Sequence, residues 1–379
     1  MSRGAAIVLG GLGPLTPPGI DWAGRELLAG MELAVKDVNA AGGSGGRRLE
    51  LVFEDTRGDP DAGIEALRRL HAAGACAVVG EFHSVVANAL AGEADRMAIP
   101  FLCSSATLDA ITARRSPYVF RLAPPQSRGW KIYADFLLAR GFRQVIEIIH
   151  EDVYWTSGAE VIRRRLEPEG VRLTRIPVNP RDSAAAVAER TGALAGAESR
   201  SVALLLVGYP QPLAATVRAL ADRGLLTGRL ALGDPAGRAI FPDWRETAGE
   251  HGAAASFLSY QLPGQLTQTG SKAAAAFAKS HGREPSFVAL EGYDTIAVLA
   301  HALERTPDLS AESICAALRA VAAPGTRGVV SFAVEPEGAV HQQWAWPPIC
   351  VAVRGEPGRP LSEADVLWPS TVGLPPTGQ

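Results

Sequence analysis

Apolar residues along this chain alternate between two patterns. Short continuous runs read as buried strands, and longer stretches with apolar residues three and four apart read as helices. Ala5 to Gly10 is the first run, followed by a Gly- and Pro-rich loop from Gly11 to Asp21. From Gly24 to Ala40, the residues Leu28, Met31, Val35 and Val38 recur at helical spacing, and Gly42-Gly43 stops the helix. Leu49 to Glu54 predicts a strand. Asp59 to Ala72 predicts a helix capped by Asp59, with Pro60 in its first turn. The stretch from Cys76 to Ile111 then reads strand, turn, helix, strand, turn, helix. Its strands are Ala77-Val78-Val79, stopping at Gly80, and Pro100 to Cys103. Strands and helices alternating at this interval predict an α/β fold with a parallel sheet covered on both faces.

The two turns of that stretch carry hydroxyls: Ser84 after the first strand, Ser104, Ser105 and Thr107 after the second. Ser84 and Thr107 are placed as N-caps. If the strands are parallel neighbours, free N–H groups and two helix N-termini meet at one sheet edge. That edge suits a carboxylate or another small anion. Two readings remain open for these hydroxyls: helix caps alone, or ligand contacts.

Tyr118 to Arg121 is extended, and Pro124-Pro125 then breaks the pattern, which reads as a first crossing between domains. A second series of helices and strands follows, with helices at Ser127–Arg140, Ser157–Glu167, Ser183–Ala195 and Pro212–Arg223. Its strands are Gln144–Ile149, Val171–Pro177, Val202–Val207 and Arg229–Leu232. Ala253 to Tyr260 reads as a strand returning to the first domain. Helices near Ser271–Ser280, Glu291–Arg305 and Ser310–Val321 come next. Gly328 to Val334 reads as a further crossing, and Ile349 to Val353 as a late strand. The expected organisation is residues 1–122 with 256–329 as lobe 1, and 123–255 with 330–379 as lobe 2. Two similar lobes joined by several crossings would leave a cleft between them.

Composition narrows the function classes. At 379 residues, two domains are expected. Apolar residues at 47% and charged residues at 20% describe an ordinary globular chain. A net charge of −3 with no basic run argues against a nucleic-acid partner. No apolar run approaches the roughly 20 residues of a membrane span. Cys76, Cys103, Cys315 and Cys350 form no CxxC pair and no Cys/His cluster, so they read as small buried hydrophobes and no metal is expected. Cys103 stands apart at the mouth of the second turn. Gly10-Gly11-Leu12-Gly13-Pro14 lacks the third glycine of a dinucleotide fingerprint. Gly42-Gly43-Ser44-Gly45-Gly46 follows a helix, the reverse of what a nucleophile elbow needs. No carboxylates pair for acid–base work, so no catalytic residue and no cofactor is expected. The first residues lack the charged and long apolar regions of a signal peptide, so either a leader has been removed or the protein is cytoplasmic.

The ordered set of segments also carries a resemblance. GMELAVKDVNAAGGSGGRRLELVFED, the Gly-Glu-Phe-His-Ser turn, CSSATLDAIT, SPYVFRLAP, LVGYPQP and GYDTIAVLAHALERT together resemble type I periplasmic binding proteins. They are most similar to the leucine/isoleucine/valine-binding group of ABC transporter solute receptors. The resemblance runs from about Ala5 to about Val353. It implies two Rossmann-like lobes joined by three hinge crossings, a ligand clasped between them, and ABC permease subunits as partners. It further implies that Ser84 and the group Ser105, Ala106 and Thr107 hold the polar head of an amino acid. Tyr154 and Tyr209 match second-lobe tyrosines, and Asp234 an acid that meets the ammonium. Trp22 and Leu290 match wall positions. His83 stands where leucine-type receptors can carry a disulfide-tied cysteine, and Val85 and Val86 where relatives have more hydroxyls. A wall of Trp22, Phe82, Tyr154 and Trp155 would suit an aromatic or branched apolar acid; an amide is a further option. The expected function is a non-enzymatic, extracytoplasmic receptor of an ABC importer. The alternative is a cytoplasmic amide- or amino-acid-sensing regulator of the same fold.

Overall fold

The computed structural model describes residues 5–179, 181–196, 201–226, 230–237, 241–261, 266–333, 341–344 and 347–369. The chain divides into two units, and it passes between them after Pro125, before Leu266 and after Pro348.

The first unit holds a five-stranded parallel sheet. Its strands are β1 (Ile7–Gly13), β2 (Leu49–Asp55), β3 (Ala77–Gly80), β4 (Phe101–Cys103) and β5 (Val119–Arg121), in the order β2-β1-β3-β4-β5. The connections are α1 (Asp21–Ala40), α2 (Pro60–Ala72), α3 (Ser84–Met97) and the single turn α4 (Ala110–Ala113). Asp59 caps α2, its carboxylate accepting the Ala62 N–H at 2.8 Å, as the sequence predicts. Strand β3 is buried at every position, which fits a sheet covered on both faces. Val78, Val86, Leu90, Phe101 and Ile111 share one core cluster under α2 and α3.

The same unit takes in later segments: α10 (Gln268–His281), α11 (Phe287–Leu303), α12 (Ala311–Arg319) and the small ladder of β11 (Ala323–Pro324) with β12 (Val329–Val330). Helix α11 lies directly against α1. A Cβ at Gly30 would stand 1.9 Å from the Ala289 carbonyl oxygen, and one at Gly292 would stand 2.4 Å from that of Leu27. Only glycine lets the two backbones approach this closely. Thr267, Ser286 and Ser310 cap the three late helices, so each begins earlier than its apolar periodicity suggests, or within a residue of it.

The second unit holds a seven-stranded sheet in the order β14-β13-β10-β9-β8-β6-β7. Five strands are parallel: β6 (Gln144–His150), β7 (Arg172–Val178), β8 (Val202–Val207), β9 (Leu230–Asp234) and β10 (Ser256–Ser259). Two antiparallel strands finish it, β13 (Cys350–Val353) and β14 (Asp365–Pro369). The helices are α5 (Gln126–Ala139), α6 (Val153–Leu166), α7 (Ala184–Gly196), α8 (Pro210–Asp222) and α9 (Pro242–Ala253).

Two segments differ from the sequence reading. Ser256–Ser259 does not return to the first unit, because it pairs with β9 on one side and β13 on the other. Gly328 to Ala333 is no crossing. Val329–Val330 pairs with Ala323–Pro324, and Phe332 bridges to Trp344, so these residues remain in the first unit until Pro348. Of the stretch 330–379 expected in lobe 2, residues 334–340, 345–346 and 370–379 lie outside the described residues, as does Arg229 at the expected start of β9. Helix α9 was not foreseen. Among the described residues no helix is long and apolar enough to cross a membrane.

Candidate functional site

In the first unit, β3 and β4 are parallel neighbours with Gly80 opposite Cys103, so the turns after them leave the sheet at the same edge. A network of short contacts ties the turns together. Ser104 N–H donates to the Gly80 carbonyl at 3.1 Å, and Ser105 N–H to that of Glu81 at 3.3 Å. Ser84 Oγ accepts the N–H of Thr107 at 3.1 Å and that of Leu108 at 3.3 Å. With both acceptor positions used, the Ser84 hydroxyl hydrogen is left to donate elsewhere.

This corrects the N-cap assignment. His83, with φ −74° and ψ 119°, holds the N-cap position of α3 without a side-chain cap, and Ser84 is the first helical residue. Asp109, not Thr107, precedes α4. Helix α4 has only four residues, so the second turn offers backbone N–H groups and hydroxyls rather than the end of a long helix dipole. Ser105, Ala106 and Thr107 are all buried. Arg121, fully buried at the end of β5, holds the far side of this turn. Its guanidinium donates to the Leu108 carbonyl at 2.6 Å, to Thr112 Oγ1 at 3.2 Å and to Gln343 Oε1 at 2.5 Å.

His83 belongs to the scaffold of the first turn. Its Nε2 accepts the Ile20 N–H at 2.9 Å, and burial pushes its pKa down to about 4, which keeps the ring a neutral acceptor. The bond fixes the start of α1, where Trp22 stands 6.2 Å from Phe82, ring to ring. Trp22, Phe82 and His83 therefore form one aromatic group beside the turn. Leu290 is buried in the first turn of α11, one residue before Glu291. The Ser105 hydroxyl is near enough to the Glu291 carboxyl to favour its ionised form, though the two make no hydrogen bond of ordinary length. Cys103 is buried, its thiol pushed up to about 12 by desolvation, and its Sγ lies 3.9 Å from the Ala106 carbonyl. It is an inert packing residue.

Sequence reasoning missed Glu81. It is fully buried, sits at φ +76°, and its Oε1 accepts the N–H groups of Phe82 at 2.8 Å and His83 at 2.7 Å. The one signal for it in the sequence is an acid directly after an all-apolar strand.

The second unit gathers a second group at the carboxyl ends of its strands. Asp152 caps α6, accepting the N–H groups of Tyr154 at 3.1 Å and Trp155 at 3.2 Å. Its other oxygen accepts the Tyr209 hydroxyl at 2.9 Å. Burial and the neighbouring Asp152 carboxylate push the Tyr209 hydroxyl up to about 12. Trp155 stands 4.7 Å from Tyr154 and 5.8 Å from Tyr209, and His150 stands 5.3 Å from Tyr209, each edge to face. Tyr154 and Tyr209 are thus brought together, through an aspartate that sequence reasoning did not single out. It was overlooked because α6 begins four residues before the expected Ser157. Replacing Asp152 with alanine removes this cap and should lower stability by about 1 kcal/mol. Urea unfolding reads the change, and an unaltered midpoint would show that Asp152 does not hold α6. Asp234, at the end of β9, is fully buried and accepts the Ala236 N–H at 3.2 Å, with Tyr133 close by.

A family model described as periplasmic binding protein matches residues 6–346. The chain belongs to the periplasmic binding protein family. The resemblance seen in its segments therefore holds at the level of family and fold. Among relatives of this periplasmic binding protein is the Leu/Ile/Val-binding protein homolog 3 of Brucella melitensis, 27% identical over 168 residues. That match covers 44% of this chain and 45% of the relative, so the chain spans less than half the relative's length. A leucine binding protein, LivK, from Thermotoga maritima has the same fold, with a TM-score of 0.77 at 20% identity, over 95% of this chain and 97% of that one. A solute binding protein from R. palustris, solved in complex with benzoate, also has a TM-score of 0.77, at 17% identity over 96% and 97% of the two chains.

Proposed function

We propose that this periplasmic binding protein is the extracytoplasmic solute receptor of an ABC importer, that it binds a small amino acid or a related apolar or aromatic carboxylate, and that it carries out no reaction on it. The observation that carries this reading is the joined pair of turns in the first unit. Ser84 has an unspent hydroxyl hydrogen beside Ser105, Ala106 and Thr107, at the carboxyl edge of a parallel sheet where ligands of open α/β folds bind. Those residues are the proposed carboxylate-holding set. Trp22 beside them is a proposed contact to the apolar part of the ligand; the ligand contacts expected of Tyr154 and Tyr209 rest on the family resemblance. The names of the relatives, with amino acids on one side and benzoate on the other, are consistent with that ligand range. The proposed partner is the membrane permease of the importer.

A thermal-shift screen over L-leucine, L-isoleucine, benzoate and 3,4-dihydroxybenzoate tests the reading, since a ligand bound by the folded state alone raises Tm by mass action. No shift with any of the four would refute it. For whichever compound binds, Ser84→Ala should weaken affinity by about 1–3 kcal/mol, measured by calorimetry. Val85, half exposed on the next residue, provides the control, and Val85→Ala should leave affinity unchanged. Equal affinity in both variants and the parent would remove Ser84 from the site.

A further inference from the structure

Glu81 is the point where the two turns of the first unit meet. Its carboxyl closes the first turn by accepting the Phe82 and His83 N–H groups on one oxygen. Its backbone carbonyl accepts the Ser105 N–H and the Ser104 hydroxyl, both at 3.3 Å, and so reaches the second turn. Its own N–H donates to the Leu12 carbonyl at 3.1 Å, which anchors it to β1. The preceding Gly80, at φ +124°, lies so near β1 that a Cβ would stand 2.1 Å from that same Leu12 oxygen. A glutamate at φ +76° is itself in the left-handed region, which costs about 1–2 kcal/mol and persists only where the surroundings over-determine it. Here three backbone bonds and a carboxyl do so.

The position has a chemical consequence. The N–H groups at the opening of α3 would otherwise be available to a bound anion, and Glu81 takes two of them with an anion of the chain's own. The groups around its carboxyl are the Thr56 hydroxyl and Asp55 at the end of β2, the backbone N–H groups of Phe82 and His83, and the Cys103 thiol on β4. None of these is a cation under neutral conditions: His83 is held neutral by burial and Cys103 as the thiol.

We propose that Glu81 is a positioning and specificity-determining residue of this site: it holds the two turns together, and its charge sets how strongly they take a carboxylate. The positioning role stands on the geometry alone; the role of its charge rests on the carboxylate-binding reading above. Burial raises the Glu81 pKa to about 7, against hydrogen bonds that lower it. Below that pH the carboxyl is neutral and a ligand carboxylate meets no like charge. Above it the ionised Glu81 opposes the ligand. Affinity for an anion therefore falls as pH rises through about 7. Glu81→Gln keeps an acceptor oxygen for Phe82 and His83 without the charge.

Hydrogen–deuterium exchange on the unliganded protein reads the first role. Glu81→Ala should speed exchange about tenfold or more in residues 82–84 and 104–108, and Glu81→Gln should restore parental protection. Parental protection in the alanine variant would overturn the positioning role, and so would a glutamine variant as exposed as the alanine one. Should the alanine variant fail to fold, the glutamine variant alone decides, because protection lost there would mean its amide does not replace the carboxyl. Calorimetry with benzoate and with L-leucine at pH 5.5, 7 and 8.5 reads the second role. Affinity of the binding compound should fall about tenfold across this range in the parent and stay flat in Glu81→Gln. A flat profile in the parent, with binding intact, overturns the role of the charge and leaves the receptor reading standing. No binding of either compound at any pH overturns the role of the charge and the carboxylate reading together, while exchange still decides the positioning role.

Discussion

Replacing Arg327 with methionine is expected to destabilise the first unit by about 3–5 kcal/mol, the usual cost of removing one partner from a buried ion pair. The Arg327 side chain is 1% exposed and its acidic neighbours Glu291 and Asp294 are fully buried. Its Nη1 lies 3.2 Å from Glu291 Oε1, its Nε lies 3.9 Å from Asp294 Oδ2, and the guanidinium stands 5.4 Å from the Trp344 ring centroid. Thr326 completes the group, giving its N–H to Asp294 at 2.6 Å and its hydroxyl at 2.7 Å. Methionine would fill much of the space and leave two carboxylates without their cation. The loss should depend on pH. Burial raises both carboxyls, and Arg327 is the largest influence holding them down. A carboxyl whose folded pKa lies above its unfolded value contributes stability that is present below the unfolded value and lost as pH rises through the folded one. Without Arg327 both folded values climb further, so the deficit of the variant should be greater at pH 8 than at pH 5. Urea unfolding at the two pH values decides it. A deficit below about 1 kcal/mol at pH 8, the scale of an exposed pair, would show that the group is not energetically coupled.

The second large effect is steric. Gly30→Val should cost about 3 kcal/mol, the upper end of ordinary overpacking, because the clash is with backbone and not with a side chain that can turn away. The added Cβ would meet the Ala289 carbonyl oxygen at 1.9 Å, its carbon at 2.8 Å and the Tyr293 nitrogen at 3.0 Å. Helices α1 and α11 would have to separate along a face that buries Leu27, Met31 and Ala34 on one side and Leu290 and Ile296 on the other. Glu32→Ala, on the exposed side of α1, should leave the unfolding midpoint within error of the parent. Equal midpoints for both variants would mean the helices do not need the glycine.

How much of this was legible in the sequence follows from the range of the interactions involved. The parallel pairing of β3 with β4, and hence the meeting of the two turns, could be read from strand, turn and helix in local succession. The role of Ser84 could not. Whether a serine caps a helix or accepts bonds from another turn depends on the backbone angles of His83 and on Thr107 and Leu108, more than twenty positions away. Strand Ser256–Ser259 has an apolar pattern that either sheet could use, and its pairing with β9 on one side and Cys350–Val353 on the other assigns it. Asp152 was hidden because the apolar periodicity of α6 begins after its cap. Glu81, Glu291 and Asp294 were hidden for a different reason: an acid in a pattern reads as solvent-facing, and its burial depends on partners such as Arg327 that lie elsewhere in the chain.

Both units are built from distant parts of the chain, and this bears on the order in which they can form during synthesis. The first unit needs α11 against α1, and it needs Gln343 to reach Arg121. The second needs Cys350–Val353 beside β10 and Asp365–Pro369 beside that. A ribosome delivers these pieces well after the elements they complete. Until then the glycine face of α1 and the open edge of β10 have no partner, and each is an invitation to another chain. A nascent copy stalled before residue 340 would hold neither unit complete, so keeping it soluble falls to whatever attends it as it emerges.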